Sequence, residues 1–324
     1  MSKVLVTGGC GFIGSHIVEH LLNTNQEVVV LDDLSTGSRS NLPTHENLNI
    51  IIGSVLDKEA VNEAVQGVDL ILHMASYVGM KLVYKEPAQS YNVSKIGTEN
   101  ILKASGDTPI LLFSTSAVYG LAATTDISED NKISLERAQS YDGDVKSYSS
   151  GKWELEQLGH QAIAAGRKVM IIRPFNVIGE RQSAAYGMVV PNFMKNCNTG
   201  IPLTIYDDGE QTRSFSCVKT FTKTIFKLLE SDDAWVSPNN IINIGSHHII
   251  SINKLAHYIK TKMQASSPIE YIPYDSIFPN KKDVRHRIPD TKLLTKLVGE
   301  VNWPTVEEII DGLLVHERAT AQAR

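Results

Sequence analysis

The chain has little cysteine, no long apolar run and no block of basic residues. Its three cysteines (Cys10, Cys197 and Cys217) are odd in number and form no C-x-x-C pair. That argues against a disulfide frame or a zinc site and for reduced thiols. The histidines show no ligand spacing, since His247 and His248 are adjacent in a loop-like stretch, so no metal is expected. No apolar stretch approaches the roughly 18 residues of a membrane span. Met1-Ser2-Lys3 leads straight into a strand, so no leader is expected and the reading is cytoplasmic. A net charge of −5 without a basic cluster argues against nucleic acid or an anionic membrane as partner. Internal repeats and low-complexity tracts are missing too. What remains is an ordinary globular balance, 42% hydrophobic and 21% charged, and 324 residues is long enough for two domains.

The richest stretch is residues 3–22. Val4, Leu5 and Val6 read as a buried strand, Gly8, Gly11 and Gly14 follow as G-x-x-G-x-x-G, and apolar residues from Ile13 to Leu22 recur at helical spacing. A strand, a glycine turn and a helix are the context of a dinucleotide-binding fingerprint. A side chain at Gly8 would block the tight turn, one at Gly11 would hold a pyrophosphate away, and one at Gly14 would hold the helix off the sheet. Free N–H groups at the helix start then face the phosphates. A second strand, 27–31, ends on Asp32 and Asp33. An acid at that distance accepts hydrogen bonds from an adenosine ribose and repels a 2′-phosphate, which favours NAD over NADP.

Strands are expected at 49–52, 69–73, 110–113 and 168–173, alternating with helices near 59–65, 87–104 and 147–165. That alternation predicts an α/β fold, a doubly wound parallel sheet of Rossmann type. Residues 1–174 are read as the NAD-binding domain, with 175–324 as a smaller C-terminal α/β lobe from which some strands return to the main sheet. The lobe is expected to hold helices near 189–197, 219–230, 251–263 and 305–316 and strands at 202–206 and 241–244. The segment 122–145 is polar and poorly patterned, and reads as a surface excursion near the site.

Ligands of such sheets bind beyond the carboxyl ends of the strands. There the fifth strand opens onto Ser114, Thr115 and Ser116, and the second long helix begins Tyr148-Ser149-Ser150-Gly151-Lys152. Tyrosine and lysine at i and i+4 share one helical face. A phenol near pKa 10 is a poor base at neutral pH, and a neighbouring ammonium and an oxidised nicotinamide would favour its phenolate. Thr115 is placed to hold the same substrate hydroxyl in line.

Together these motifs resemble the extended short-chain dehydrogenase/reductases, specifically the nucleotide-sugar epimerase/dehydratase family. The likeness runs through Thr7 to His16, Asp32-Asp33-Leu34, Asp57, His73-Met74-Ala75-Ser76, Asn92 to Thr98 and Ser114 to Gly120. It continues through Tyr148/Lys152, Arg173 to Gly179, Pro202 to Tyr206, Gln211 to Phe215 and Arg287-Ile288-Pro289-Asp290. The resemblance implies a tightly held NAD, touched by Phe12, Ile13, Val55, Met74, Ala75, Ser76 and Asn92 beside the glycines. It puts Asp57 at the adenine ring, Asp32 and Asp33 at the ribose, and Lys152 on the nicotinamide ribose. It makes Tyr148 the base at a sugar 4-hydroxyl that Thr115 shares. For a UDP-sugar substrate it implies contacts from Ser116, Ala117, Asn176, Val189 and Tyr206, with Arg213 and Arg287, or Arg285, on the diphosphate. A planar guanidinium fork suits that task. Helices 87–104 and 147–165 match those that pair in the family's homodimers.

After oxidation at C4 the family branches. Dehydratases carry an Asp-Glu pair where this chain has Ser116 and Ala117, so dehydration is disfavoured. Glucuronate decarboxylases resemble the chain over Thr204 to Phe215 but usually carry glutamate in place of Ala117. An epimerase needs only room for the ketopyranose to turn, which small residues provide. The expectation is therefore a UDP-sugar 4-epimerase, with a UDP-glucuronate decarboxylase as the alternative and a non-catalytic NAD-binding sensor as a second. Two departures stand out: Ile178 replaces a usual tyrosine and Lys219 a usual aspartate.

Overall fold

The computed structural model describes residues 1–121, 125–142, 147–279 and 283–322. The first half alternates strands with helices, except that β2 leads to β3 through a short 3₁₀ turn and the helices before β5 and β6 come in pairs. Its elements are β1 (Lys3–Thr7), α1 (Phe12–Asn23), β2 (Glu27–Asp32), β3 (Leu48–Ile52), α2 (Lys58–Ala64), β4 (Leu70–His73) and α3 (Met80–Lys85). Then come α4 (Pro87–Ala104), β5 (Ile110–Phe113), α5 (Leu135–Asp142), α6 (Tyr148–Ala164) and β6 (Val169–Pro174). The second half is made of shorter pieces: β7 (Val177–Ile178), α7 (Val189–Thr199), β8 (Leu203–Tyr206), β9 (Thr212–Ser214), β10 (Ser216–Cys217) and α8 (Val218–Glu230). It continues through β11 (Ile241–Ile244), β12 (Ile249–Ser251), α9 (Ile252–Lys262), β13 (Ile269–Ile272), α10 (Tyr274–Ile277), β14 (His286–Arg287), α11 (Lys292–Val298) and α12 (Val306–Gln322).

Seven strands form one sheet in the order β11-β6-β5-β4-β1-β2-β3. Every pairing in it is parallel. Successive side chains of β1 serve opposite faces: Val4 and Val6 pack with Ile17, Val18, Phe221 and Ile225, whereas Leu5 packs with Ile71, Ile101 and Leu155. Both faces are covered, which is why the strands read as unbroken apolar runs. Strand order reverses between β1 and β4, so a crevice opens at their carboxyl ends. The sheet thus confirms the expected Rossmann-type α/β fold, and β11 is the strand that returns to it from the second half.

Residues 189–314 build a further core in which Phe193, Leu203, Leu255, Ile259 and Ile310 meet. Two features differ from expectation. The polar stretch 122–145 holds α5, which packs on α6, and Ile127 is buried and bridges to Pro289. The helix expected to end at 316 continues to Gln322. Among the described residues no helix is long and apolar enough to cross a membrane, and no group of three or more His, Cys, Asp or Glu could hold a metal.

Candidate active site

The turn after β1 is built for close backbone approach. Gly8 adopts φ +73°, and a Cβ there would meet the Ala75 backbone at 3.0 Å. A Cβ on Gly14 would strike the Gly8 carbonyl, so α1 could not seat against the turn. Gly11 caps α1 and offers no side chain toward the crevice. The turn is anchored by His73. Thr7 Oγ1 accepts the N–H groups of Met74 and Ala75 at 3.0 and 3.1 Å, so its own hydrogen goes to His73 Nδ1, 2.8 Å away. Thr98 Oγ1 gives its hydrogen to the Ser94 carbonyl and therefore accepts from His73 Nε2, at 3.1 Å. His73 is thus neutral, with its proton on Nε2. Burial, reinforced by the neighbouring Lys152 cation, pushes it down to about 3.

Asp32 closes β2 and is buried. Its two carboxylate oxygens accept from Cys10 N–H at 2.9 Å and Leu34 N–H at 2.8 Å, which fixes the group while leaving lone pairs for a ribose. Burial nevertheless raises its pKa. Asp33 accepts from the Ser35 N–H and hydroxyl.

A cavity of about 590 Å³ runs along the carboxyl ends of the strands. Gly8, Gly11, Phe12, Ile13 and Gly14 line it, with Asp32, Asp33 and Val55 toward β2 and β3, and Met74, Ala75 and Ser76 beyond β4. The Ser76 hydroxyl is buried there with no partner among the described residues. Glycine cradle, fixed carboxylate and unsatisfied hydroxyl together fit a dinucleotide. Further along the same wall stand Thr115, Ser116, Ala117, Tyr148, Lys152, Asn176 and Arg287.

At this second end Tyr148 begins α6, where the Ser147 N–H donates to Ser150 Oγ at 2.8 Å. Lys152, one turn on, is buried and donates from Nζ to the Phe113 carbonyl at 2.6 Å. Burial lowers it to about 7, against an opposing pull from Glu156. Thr115 Oγ1 accepts the Ala117 N–H at 3.2 Å and so caps the short 3₁₀ turn Ser116–Tyr119. Arg287 is buried, and its Nη2 donates to the carbonyl of Gly120, the residue that follows that turn.

Other expected residues lie off the cavity wall. Asp57 caps α2, accepting from Glu59 and Ala60 N–H. Asn92 sits on α4 beside Val93, which does line the cavity, and the wall reaches Met188 but not Val189. Tyr206 packs edge-on against Tyr274 and Phe278. Arg213 pairs with Asp283 at 2.8 Å, one strand over from Arg287 in the β9–β14 register. Arg285 is half exposed and forks onto Asp208, away from the cavity. Of the two diphosphate-clamp candidates at 285 and 287, only Arg287 reaches the wall. Residues not expected there are Tyr77, Arg181, Gln182 and Tyr186. The polar, unpatterned run 181–187 was the only signal for the last three.

The chain is similar to known proteins over nearly its whole length. Over 310 residues the chain is 31% identical to a UDP-N-acetyl-alpha-D-glucosaminuronate decarboxylase of Bacillus cytotoxicus, covering 93% of this chain and 94% of that one. It is also 31% identical to UDP-glucuronic acid decarboxylase 1 of Arabidopsis thaliana, over 96% of this chain and 68% of that one. The crystal structure of UDP-glucose 4-epimerase from Thermotoga maritima with UDP-glucose superposes with a TM-score of 0.85 at 26% identity, over 98% and 99% of the two chains. Residues 4–245, from β1 past β11, match the sequence model of the NAD dependent epimerase/dehydratase family. The chain therefore belongs to the NAD-dependent epimerase/dehydratase family of extended short-chain dehydrogenase/reductases, with NAD as its cofactor.

Proposed function

We propose that the chain decarboxylates a UDP-linked hexuronic acid of the glucuronate or 2-acetamidoglucuronate type. The observation that carries this reading is Arg287, a buried guanidinium in the cavity wall held beside the turn that bears Thr115 to Ala117. Among the described lining residues the only acids are Asp32 and Asp33, while Lys152, Arg181 and Arg287 are cationic. Among the described lining residues no acid stands near the catalytic turn, so an anionic sugar complements it. The relatives named as decarboxylases support the same class.

In this reading Tyr148 takes the proton of the sugar 4-hydroxyl while Thr115 holds that hydroxyl in line. Bound NAD supplies the hydride acceptor and later the donor, so no net redox change occurs. Once C4 is a ketone, the C6 carboxylate is that of a β-keto acid. The C5–C6 bond breaks, its electron pair passes into the C4 enolate, and carbon dioxide leaves. C5 then takes up a proton and C4 is reduced again, giving a UDP-pentose. That sequence has little need of the glutamate missing at Ala117. In this reading Arg287, expected on the diphosphate, instead seats the carboxylate in the ground state, which a planar fork matches equally well.

A second reading, 4-epimerisation, is favoured by one observation: Ser116 and Ala117 are small and leave room for a ketopyranose to turn. The sequence alone points that way, and the relatives weigh more for the first reading. For quaternary structure we propose a homodimer through the paired helices α4 and α6, with Ile96 exposed on α4.

Replacing Arg287 with the uncharged Met tests the carrying observation. The variant should lose about 100-fold in kcat/KM on the UDP-uronate, the order expected for a lost charge-assisted pair. Its NAD affinity should stay within about threefold of wild type, a difference under 1 kcal/mol. Full activity on the uronate would overturn the assignment.

A further inference from the structure

One buried acid takes no part in that chemistry. Glu156 lies one helical turn beyond Lys152 on α6, 2% exposed, and does not line the cavity. Its Oε1 accepts the Ser114 hydroxyl at 2.5 Å and Arg173 Nε at 2.9 Å, and its Oε2 accepts Arg173 Nη2 at 2.7 Å. Arg173 Nη1 in turn donates to the Tyr119 hydroxyl at 2.8 Å, and that hydroxyl donates to Asn243 Oδ1. One carboxylate therefore grips the residue before Thr115, the helix that carries Tyr148 and Lys152, and, through Arg173, the last residue of the Ser116–Tyr119 turn.

We propose that Glu156 is a positioning residue, which locks Thr115 against Tyr148 and supplies the negative charge that sustains the Lys152 ammonium. The proposal rests on the roles given to these three residues above. A buried ion pair serving stability alone would need only Arg173. The hydroxyl of Ser114, one residue before the reacting threonine, spends its hydrogen on the same oxygen. The groups facing Lys152 sharpen the electrostatic half. His73 on β4 is neutral, the Phe113 carbonyl on β5 is a dipole, and Tyr148 and Glu156 share its helix. Among these groups Glu156 carries the one formal negative charge, and its fork neutralises Arg173.

Two variants, studied as NAD-loaded protein, separate the two halves. In Glu156→Gln the amide can still accept from Ser114 but the charge is gone. With lysine labelled at its ε-carbon, the NMR titration of Lys152 should fall by about one pH unit. The alkaline limb of the kcat profile should fall with it. Ser114→Ala keeps the Glu156–Arg173 pair and should leave the Lys152 titration in place. It should slow sugar-driven reduction of bound NAD by about 10-fold, with KM nearly constant, as expected for a misplaced reacting group. An unmoved Lys152 midpoint in Glu156→Gln, or an unchanged rate in Ser114→Ala, would overturn the corresponding half. The lysine titration requires no turnover. It therefore still decides the inference if wild-type protein reduces NAD with no UDP-sugar, a result that would instead sink the functional reading. If Glu156→Gln fails to fold, the rate of Ser114→Ala decides the positioning half, and a wild-type Lys152 already neutral at pH 6 would overturn the charge half.

Discussion

Protonating His73 would undo the seat of the glycine turn, because Thr7 Oγ1 already accepts two N–H groups and has no place for a third. The consequence is a pH-dependent stability with a definite sign. The unfolded chain takes up a proton at this histidine near its ordinary value of 6.5, while the folded chain refuses it down to about 3. Stability on this account is complete above pH 6.5 and declines as pH falls from 6.5 toward 3, at up to about 1.4 kcal/mol per pH unit. His73→Gln lacks the titrating group, so the gap between wild type and variant in urea unfolding should narrow from pH 7 to pH 5. Parallel stability curves would contradict the assignment. Single residues also show where the sequence falls silent. Lys219, unexplained as a replacement for aspartate, donates to Glu180 Oε1 at 2.6 Å, so the departure at 219 is matched 39 positions earlier. A pair formed only by the fold leaves no local mark. Ile178, the other departure, is buried in the core of the second half.

At the scale of elements, α4 and α6 approach closely because Gly151 has no side chain: a Cβ there would lie 2.9 Å from Tyr91 Cα. In an exposed helix Gly→Ala stabilises by roughly 1 kcal/mol. Here overpacking should prevail, and Gly151→Ala should destabilise by about 1 to 3 kcal/mol, read as a drop in the denaturant midpoint. A rise in midpoint would mean that the helices can part without penalty. The strands β1, β2, β4, β5 and β6 were legible because their buried faces leave the apolar runs unbroken, and β3, a partly exposed edge strand, because it is still mostly isoleucine. α5 was not, since its amphipathic pattern is short and polar and its packing partner is α6. Ile127 was hidden for the same reason: its neighbour Pro289 lies far along the chain. The family resemblance pointed to Tyr206, Arg213 and Arg285 as chemical types. A resemblance in sequence does not say where they turn. The aromatic neighbours Tyr274 and Phe278, and the acids Asp283 and Asp208, set their directions in the fold.

For the whole molecule, the strand-order reversal between β1 and β4 puts the glycine cradle and the Tyr148–Lys152 pair in one continuous cavity. A single dinucleotide bound there spans from the Asp32 end to the catalytic end. Fold and cofactor were legible in the sequence because the glycine turn and Asp32 stand as local motifs at the ends of β1 and β2, whereas Thr115, Tyr148 and Lys152 are drawn from the end of β5 and the start of α6. The outcome after C4 oxidation was not legible, since it depends on which charges converge on the sugar from β5, α6 and β14. The most direct measurement supplies the purified protein with UDP-glucuronate, and separately its 2-acetamido analogue, each carrying ¹³C at C6, and follows carbon and proton NMR. The account predicts that the label leaves as carbon dioxide while a UDP-pentose accumulates without net reduction of NAD. A label retained at C6 of a galacto-configured UDP-uronate would contradict it and make the chain a 4-epimerase.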